Sequence, residues 1–404
     1  MKRIFLCAAV FLLAGGIWAD PGGKGKGKGK GKVPESREER PERIPACGSG
    51  PELTQSPLAM GDFLGLVPLG NLNPTGHVFP TDHMYFYIRR SGSDPATVPV
   101  VAPSDGWITQ VAASEHVGAG FTDYQIAISP CREFKYYFGH VSNIPPKLLH
   151  RIGDFAAADC HSYSTGGETF NYCRKEVRVR IRAGQRLGTA GRPGQNALDM
   201  GAFDFRVPAL PYANTARVCP SGVPAGACEA LQVVCPVDYF SSGVADALEA
   251  RLGTWDGSLL RTVDPLCGEV EQDEPDKAQG KWYVSGTTEM YPEDPHLALV
   301  HDNVEPEKGA FSVGNSLAPG LSSGVYFFTP THSGLVNRDF DEVLSDGDIY
   351  CYDSFSLRYG GPAPAMSVII QMTSDTTLQI EKQSAATCGS GPWSFTSAAR
   401  EFER

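Results

Sequence analysis

The sequence predicts a mainly β protein built from two domains, and three observations predict it. Apolar runs are short and bounded by turn residues, in a chain whose 404 residues include 45 glycines and 31 prolines. Several runs alternate apolar with polar residues, as a half-buried strand does. Behind a low-complexity N-terminus about 360 residues remain, enough for two ordinary cores.

Residues 1–19 open with Lys2 and Arg3, continue through the apolar run Ile4 to Leu13 and close on Gly16-Ile17-Trp18-Ala19. This is the layout of a signal peptide cleaved after Ala19. The run is shorter than the roughly 20 apolar residues of a membrane span. No later run is long enough either, so no membrane span is expected. Cys7 would leave with the signal, and Cys47, Cys131, Cys160, Cys173, Cys219, Cys228, Cys235, Cys267, Cys351 and Cys388 remain. An even set in an exported chain implies disulfides, and the spacings hold no C-x-x-C pair for a zinc knuckle or a thioredoxin-type site. Connectivity stays open, with Cys351 and Cys388 a natural local pair and Cys160 to Cys173 a candidate disulfide-bearing loop. The expected location is secreted or periplasmic.

Residues 20–54 read as a flexible tether: a Gly-Lys repeat through Lys32, then the charged, proline-bearing stretch Glu35 to Arg43. Seven Lys+Arg and one Asp fall in residues 1–32, so 28 of the chain's 35 basic and 45 of its 46 acidic residues belong to the remainder, a net charge of −17. Such a body repels nucleic acid, which is excluded as a partner.

Residues 55–265 form the first expected domain. Its candidate strands are His83 to Ile88, Val98 to Ala102, Trp107 to Val111, Tyr124 to Ile128, Phe134 to Phe138, Val177 to Ile181 and Phe203 to Val207. A Cys-rich excursion, Cys219 to Cys267, carries the clearest helix, Val244 to Leu252, with Val244, Leu248 and Leu252 on one face and Gly253 as its stop. Residues 266–277 are acidic and mark a linker. Residues 278–404 are expected to form a β-barrel or β-sandwich, with strands at Gly280 to Tyr283, Leu297 to Val300, Gly324 to Phe328, Ile349 to Tyr352 and Ser367 to Met372. Its expected role is recognition or support.

Common hydrolase and nucleotide motifs are missing: no H-E-x-x-H and no Gly-rich phosphate loop. What stands out is an ordered series of segments. Gly76-His77-Val78-Phe79-Pro80-Thr81-Asp82-His83 enters a strand. Val98 to Ile108 places two strands around an Asp105-Gly106 turn. Tyr124 to Ile128 leads to Tyr136-Tyr137-Phe138-Gly139-His140-Val141, and Gly184-Gln185-Arg186-Leu187-Gly188 precedes Phe203-Asp204-Phe205-Arg206-Val207.

This order resembles the lysostaphin-type (LytM-like) zinc endopeptidases, which cut peptide cross-bridges in bacterial cell walls, and it covers about 150 residues. The resemblance implies a duplicated-hybrid-motif β domain, a zinc ion, and peptidoglycan or an extracellular peptide as partner. It puts His83 on the metal-binding histidine and His140 on the histidine that assists catalysis. Elsewhere the chain departs from the pattern: Tyr87 stands where a ligand aspartate is expected, and Ala202 and Asp204 replace the histidines of the closing H-x-H. Ala202 can do neither job, whereas Asp204 could bind metal through oxygen. The implied set is therefore His83 and Asp204 as metal ligands and His140 as the catalytic group, with Tyr87, Asp82, His77 and Asp199 as accessory candidates. Three readings follow: a peptidase fold that has lost catalysis and binds or regulates, a working zinc endopeptidase with substituted ligands, or a structural exported protein with no site. The first is the expectation here, because only two of the five family positions are filled.

Other features read as structure. His116, His150 and His161 lie in polar loops, and His296, His301 and His332 belong to the second block, where His301-Asp302 reads as a turn before it reads as a metal site. Trp282 reads as a core residue at a strand start. Tyr136, Tyr137 and Phe138 could offer an aromatic platform, although alternate members must point into the core.

Overall fold

The computed structural model describes residues 43–404 apart from 51, 166–167, 220–221, 289 and 359–363, so the expected signal peptide, Cys7 and the Gly-Lys repeat lie outside the described residues. The fold is mainly β, with two large antiparallel sheets and few helices.

The first sheet region contains β1 (Phe63–Val67), β2 (His83–Ile88), a small ribbon of β3 (Arg90–Ser91) and β4 (Asp94–Pro95), β5 (Val98–Val101), β6 (Gly106–His116), β7 (Phe121–Ser129) and β8 (Phe134–Val141). After helix α1 (Pro146–Ile152) come β9 (Asp159–Thr165), β10 (Glu168–Ile181), β11 (Arg186–Ala190) and β12 (Ala197–Asp204). Helix α2 (Thr215–Val218), β13 (Val233–Val234) and helix α3 (Ser242–Glu249) complete it. The main sheet runs β1-β2-β12-β8-β7-β6-β10-β9, with β13 beside β12 and β5 paired to β11 in a separate ribbon.

Period-two alternation sorts this sheet into two faces. Met84, Phe86, Phe134, Tyr136, Phe138 and Leu198 point into one core, covered by the β5–β11 ribbon and by Leu148 of α1 and Leu248 of α3. His83, Tyr137 and Asp199 point the other way, into a cleft.

The closing strand is a correction. Phe203 to Val207 alternates well, yet the strand is Ala197–Asp204, buried at all eight positions, and the chain turns at Phe205. A strand covered on both faces loses its alternation, so periodicity favoured the wrong segment. The helix also ends earlier than expected, at Glu249, while Leu252 packs into the core from beyond it. The long strands β6, β7 and β10 outrun their predicted cores because their distal halves face the cleft and carry polar residues.

The second sheet contains β14 (Gly280–Val284), β15 (Leu297–His301), β16 (Gly309–Val313), β17 (Gly324–Phe328), β18 (Tyr350–Tyr352), β19 (Ser356–Leu357), β20 (Ser367–Ser374), β21 (Thr377–Gln383) and β22 (Arg400–Glu403), in the order β18-β20-β21-β22-β14-β15-β16-β17-β19. Tyr352 of β18 meets Phe328 of β17 and Phe311 of β16 across the core, with ring centroids 4.9 and 5.0 Å apart. Strands from opposite ends of the order thus touch, so one sheet curls into a half-barrel where a barrel or sandwich was expected. Trp282 is its buried centre, donating Nε1–H to the Ala278 carbonyl at 2.7 Å.

All ten described cysteines are paired: Cys47–Cys131, Cys160–Cys173, Cys219–Cys228, Cys235–Cys267 and Cys351–Cys388. Five disulfides are consistent with an exported chain. Among the described residues no helix is long and apolar enough to cross a membrane.

The two sheets are joined through the segment that enters β2. Leu72, Val78 and Phe79 are buried against Tyr283, Val300 and Phe327 of the second sheet. The Phe79 amide donates to Glu293 at 2.9 Å, and Asn303 Nδ2 donates to the Pro68 carbonyl at 2.9 Å. The acidic segment 266–277 is pinned as well, because Val270 joins the first core and Asp273 accepts the amides of Lys281 and Ala213.

His301 is committed within the second unit: Nε2 meets Asp339 at 2.9 Å and Nδ1 meets the Pro306 carbonyl at 2.6 Å. Asp302 accepts the amides of Val304 and Glu305, so the expected turn is what forms. Burial opposes both charges of the His301–Asp339 pair, but their hydrogen bond outweighs it, raising the histidine pKa and lowering that of the aspartate. The histidine's contribution is complete below its unfolded value of about 6.5 and is lost as pH rises through its raised pKa. The aspartate's is present above about 3.9 and is lost as pH falls through its lowered pKa. Asp339→Asn should therefore cost about 2 kcal/mol near pH 5.5 and clearly less near pH 9, as read by urea unfolding at the two pH values.

Candidate functional site

β12 runs between β2 and β8, and this adjacency builds the site. Asp199 lies opposite Tyr85 on one side and Gly139 on the other, while Gly201 lies opposite His83 and Tyr137. Asp199 is thus the diagonal neighbour of His83 on one flank and adjoins His140 on the other. His83 Nε2 is 3.7 Å and His140 Nε2 is 3.2 Å from Asp199 Oδ2.

His140 reaches this position by leaving the strand alternation. Its φ is 61°, in the left-handed region, and the pairing of β7 with β8 slips between Tyr124 and Ile126. A bulge of this kind re-aims a side chain at a modest backbone cost. Gly139 beside it leaves room for the carboxylate, since a Cβ there would stand 3.0 Å from Asp199 Oδ2.

Each ring is held from behind by a second carboxylate. His83 Nδ1 is 2.8 Å from Asp82 Oδ1, and His140 Nδ1 is 2.6 Å from Asp123 Oδ2. The Tyr137 hydroxyl donates to Asp82 Oδ1 at 2.9 Å and locks that carboxylate in place. Both histidines therefore present Nε2 toward Asp199, the orientation that carboxylate–histidine pairs give to metal-binding imidazoles.

Burial works against charge on both rings, but Asp199 and then the Nδ1 partners outweigh it. The pKa of His83 is raised, and that of His140 is raised to about 9. His77, whose ring centroid lies 5.4 Å from that of His83, behaves oppositely. Burial and the adjacent His83 lower its pKa to about 3, so its ring is neutral.

The protein alone leaves this cluster unsatisfied. His83 Nε2 and Asp199 Oδ1 are buried with no hydrogen-bond partner. Donor atoms around a tetrahedral zinc ion with bonds of ~2.1 Å sit about 3.3 Å apart; each imidazole comes near this distance to Asp199 Oδ2, at 3.7 and 3.2 Å, but the two imidazoles lie farther than 4.8 Å from each other. Two imidazoles and a carboxylate are donor types that zinc takes, and one ion would need His83 and His140 to draw closer together than they stand here. Among the described residues the one close group of three potential ligands, Cys47, Glu52 and Cys131, is not a metal site, because both sulfurs are in a disulfide and Glu52 pairs with Arg206.

Of the residues singled out from sequence, His83, His140, Asp82, His77 and Asp199 come together. Asp204 and Tyr87 do not. Asp204 is five residues from Asp199 on one strand, an odd separation that turns it to the other face. There it is 2 % exposed and accepts from Tyr239 at 2.7 Å and from Arg206 Nη2 at 2.8 Å. Tyr87 shares the face of His83 but packs among Tyr85 and Trp255, with ring centroids 6.3 and 6.1 Å away. Ala202 lies in the core. In the aromatic run, Tyr136 and Phe138 point into the core and Tyr137 alone faces the cleft.

Sequence reasoning missed Asp123. The available signal was the alternation Asp123, Gln125, Ala127 opposite the core-facing Ile126 and Ile128. It also missed the ion pair of Lys135 with Glu229, 2.8 Å, which joins the cleft floor to the Cys-rich excursion.

The cleft holds about 1380 Å³ and is walled by the segment 75–83, the Cys219–Cys228 loop and residues 290–294 of the second unit. Comparison with protein-family models, with curated proteins and with solved structures gives no match.

Gly201 is opposite Tyr137, and a Cβ there would stand 2.3 Å from the tyrosine ring. Gly201→Ala should displace the ring, break its bond to Asp82 and destabilise the fold by about 1–3 kcal/mol, measurable by denaturant unfolding.

Proposed function

We propose that the cleft is the site of a zinc-dependent amide hydrolase that acts outside the cell on peptide of the bacterial cell-wall type. The observation that carries this reading is the approach of His83 and His140 to the one carboxylate of Asp199, with His83 Nε2 and Asp199 Oδ1 buried and left unpartnered by the protein itself. Two imidazoles and one carboxylate form a hydrolytic donor set that keeps a fourth position open. When bound, zinc supplies a Lewis acid that acidifies water and polarises a carbonyl.

On this reading His83 and His140 hold the ion through Nε2 and Asp199 through its carboxylate. His140 becomes a ligand instead of the proton carrier implied by the resemblance, and Asp199 takes the place expected for Asp204. Asp82 and Asp123 hold both rings from Nδ1 and keep Nε2 of each turned toward Asp199. His77, neutral and adjacent to His83, is the group left to accept a proton or to hydrogen-bond a substrate.

The substrate class rests on two supports. The cleft volume exceeds what a single amino acid fills, which suits a chain. The order of segments from His77 to Asp204 resembles that of the lysostaphin-type enzymes with their duplicated hybrid motif, whose substrates are cell-wall peptides.

Zinc analysis of chelator-stripped, refilled protein tests the site. One zinc per chain is expected, with affinity reduced on the order of 100-fold or more by His83→Ala, His140→Ala or Asp199→Asn and unchanged by Asp204→Asn. Zinc uptake indifferent to Asp199→Asn would overturn the ligand set. Release of new amines from purified peptidoglycan by the refilled protein tests the reaction, and stoichiometric zinc without any cleavage would favour a protein that binds its peptide and leaves it intact.

A further inference from the structure

Nearly every charged side chain of the cleft is matched within the protein. Asp82 holds His83, and Asp123 and Asp199 hold His140. Lys135 pairs with Glu229, Arg217 pairs with Glu403 at 2.6 Å, Glu293 accepts the Phe79 amide, and Asp294 accepts from Asn315. Lys281 is the exception. It lines the cleft from β14, its side chain belongs to a residue only 5 % exposed, and among the described residues its Nζ makes neither a hydrogen bond nor an ion pair. The ammonium instead lies 4.3 Å from the centroid of the Tyr212 ring and 5.4 Å from that of Phe79.

Three carboxylates lie in the neighbourhood without satisfying it. Asp273 spends its oxygens on the amides of Lys281 and Ala213, Glu293 on that of Phe79, and Glu271 on that of Asp273. A buried ammonium without a direct anionic partner is costly, and two aromatic faces offset only part of that cost. A ligand carboxylate entering from the cleft would supply the missing partner.

We infer that Lys281 is the receptor for a carboxylate of the ligand, so that the cleft selects peptides bearing a free carboxylate over their neutral counterparts. A lone ammonium suits a carboxylate better than a phosphate, whose three oxygens call for several donors or an arginine fork. The inference rests on the reading of the cleft as a peptide site. It also gives the second unit a part in recognition, because the anchoring charge comes from its sheet.

Calorimetric titration of the metal-free full chain with N-acetyl-triglycine and with N-acetyl-triglycine amide tests it. The acid should bind at least about tenfold tighter than the amide, a gap a single charged hydrogen bond can provide. Lys281→Met should bring the acid down to the level of the amide and leave the amide unchanged, while Lys281→Arg should keep part of the preference. Equal affinities in the native protein, no binding of either probe, or a preference that survives Lys281→Met would each overturn the assignment. The native comparison decides the matter even if the methionine variant does not fold. Because zinc is absent from the titration, a Lys281-dependent preference in a protein that takes up no zinc would sink the hydrolase reading and leave the carboxylate subsite standing.

Discussion

The buried carboxylate of Asp199 is the constraint on which the cleft depends. A carboxylate 8 % exposed in the middle of a sheet is tolerable only beside groups that can carry positive charge or donate hydrogen bonds. Its neighbours β2 and β8 each deliver one imidazole to it. Those rings, buried in turn, need partners on their far sides, and Asp82 and Asp123 provide them. The outcome is a chain of acid, imidazole, acid, imidazole, acid crossing strands β2, β12, β8 and β7. Such a chain is held at its ends by hydrogen bonds and leaves His83 Nε2 and Asp199 Oδ1 without a partner at its centre.

The backbone bends to allow this. Gly139 and Gly201 are vacant positions that let a carboxylate and a tyrosine ring lie where side chains would otherwise stand. The bulge at His140 spends regular pairing to turn one ring out of the core face. Asp82 sits on the segment that the second unit grips through Phe79, Glu293 and Asn303, so the geometry of the first sheet's site is tied to the packing of the second sheet. That tie explains why the acidic segment between the units is buried and hydrogen-bonded: a free linker would leave the wall of the cleft unsupported.

Much of this was legible one residue at a time. His83 and His140 stood out because the order of segments around them resembles the lysostaphin-type pattern, and the strands β2, β5, β8 and β17 were visible in their alternation or composition. Asp199 was visible only as an accessory because Leu198 to Phe203 carries no alternation to mark it as strand. Asp204 attracted attention for the opposite reason, since it sits in a stretch that alternates well but lies mostly beyond the strand. Asp123 carried only the alternation it shares with Gln125 and Ala127, which marks it as any solvent-facing position would be marked.

By itself the sequence determined the β class, the even cysteine set, the Gly-Lys N-terminus and the two histidines, because composition, periodicity and residue chemistry are local properties that need no partner to be read. Tertiary structure alone decided which carboxylate meets those histidines, how Cys47, Cys131, Cys219, Cys228, Cys235 and Cys267 pair, and that Lys281 from the second sheet faces the cleft of the first. Each of these depends on strand order and on which face a side chain takes. A single-residue change of register reverses the face, and nothing local records which strand will lie beside which.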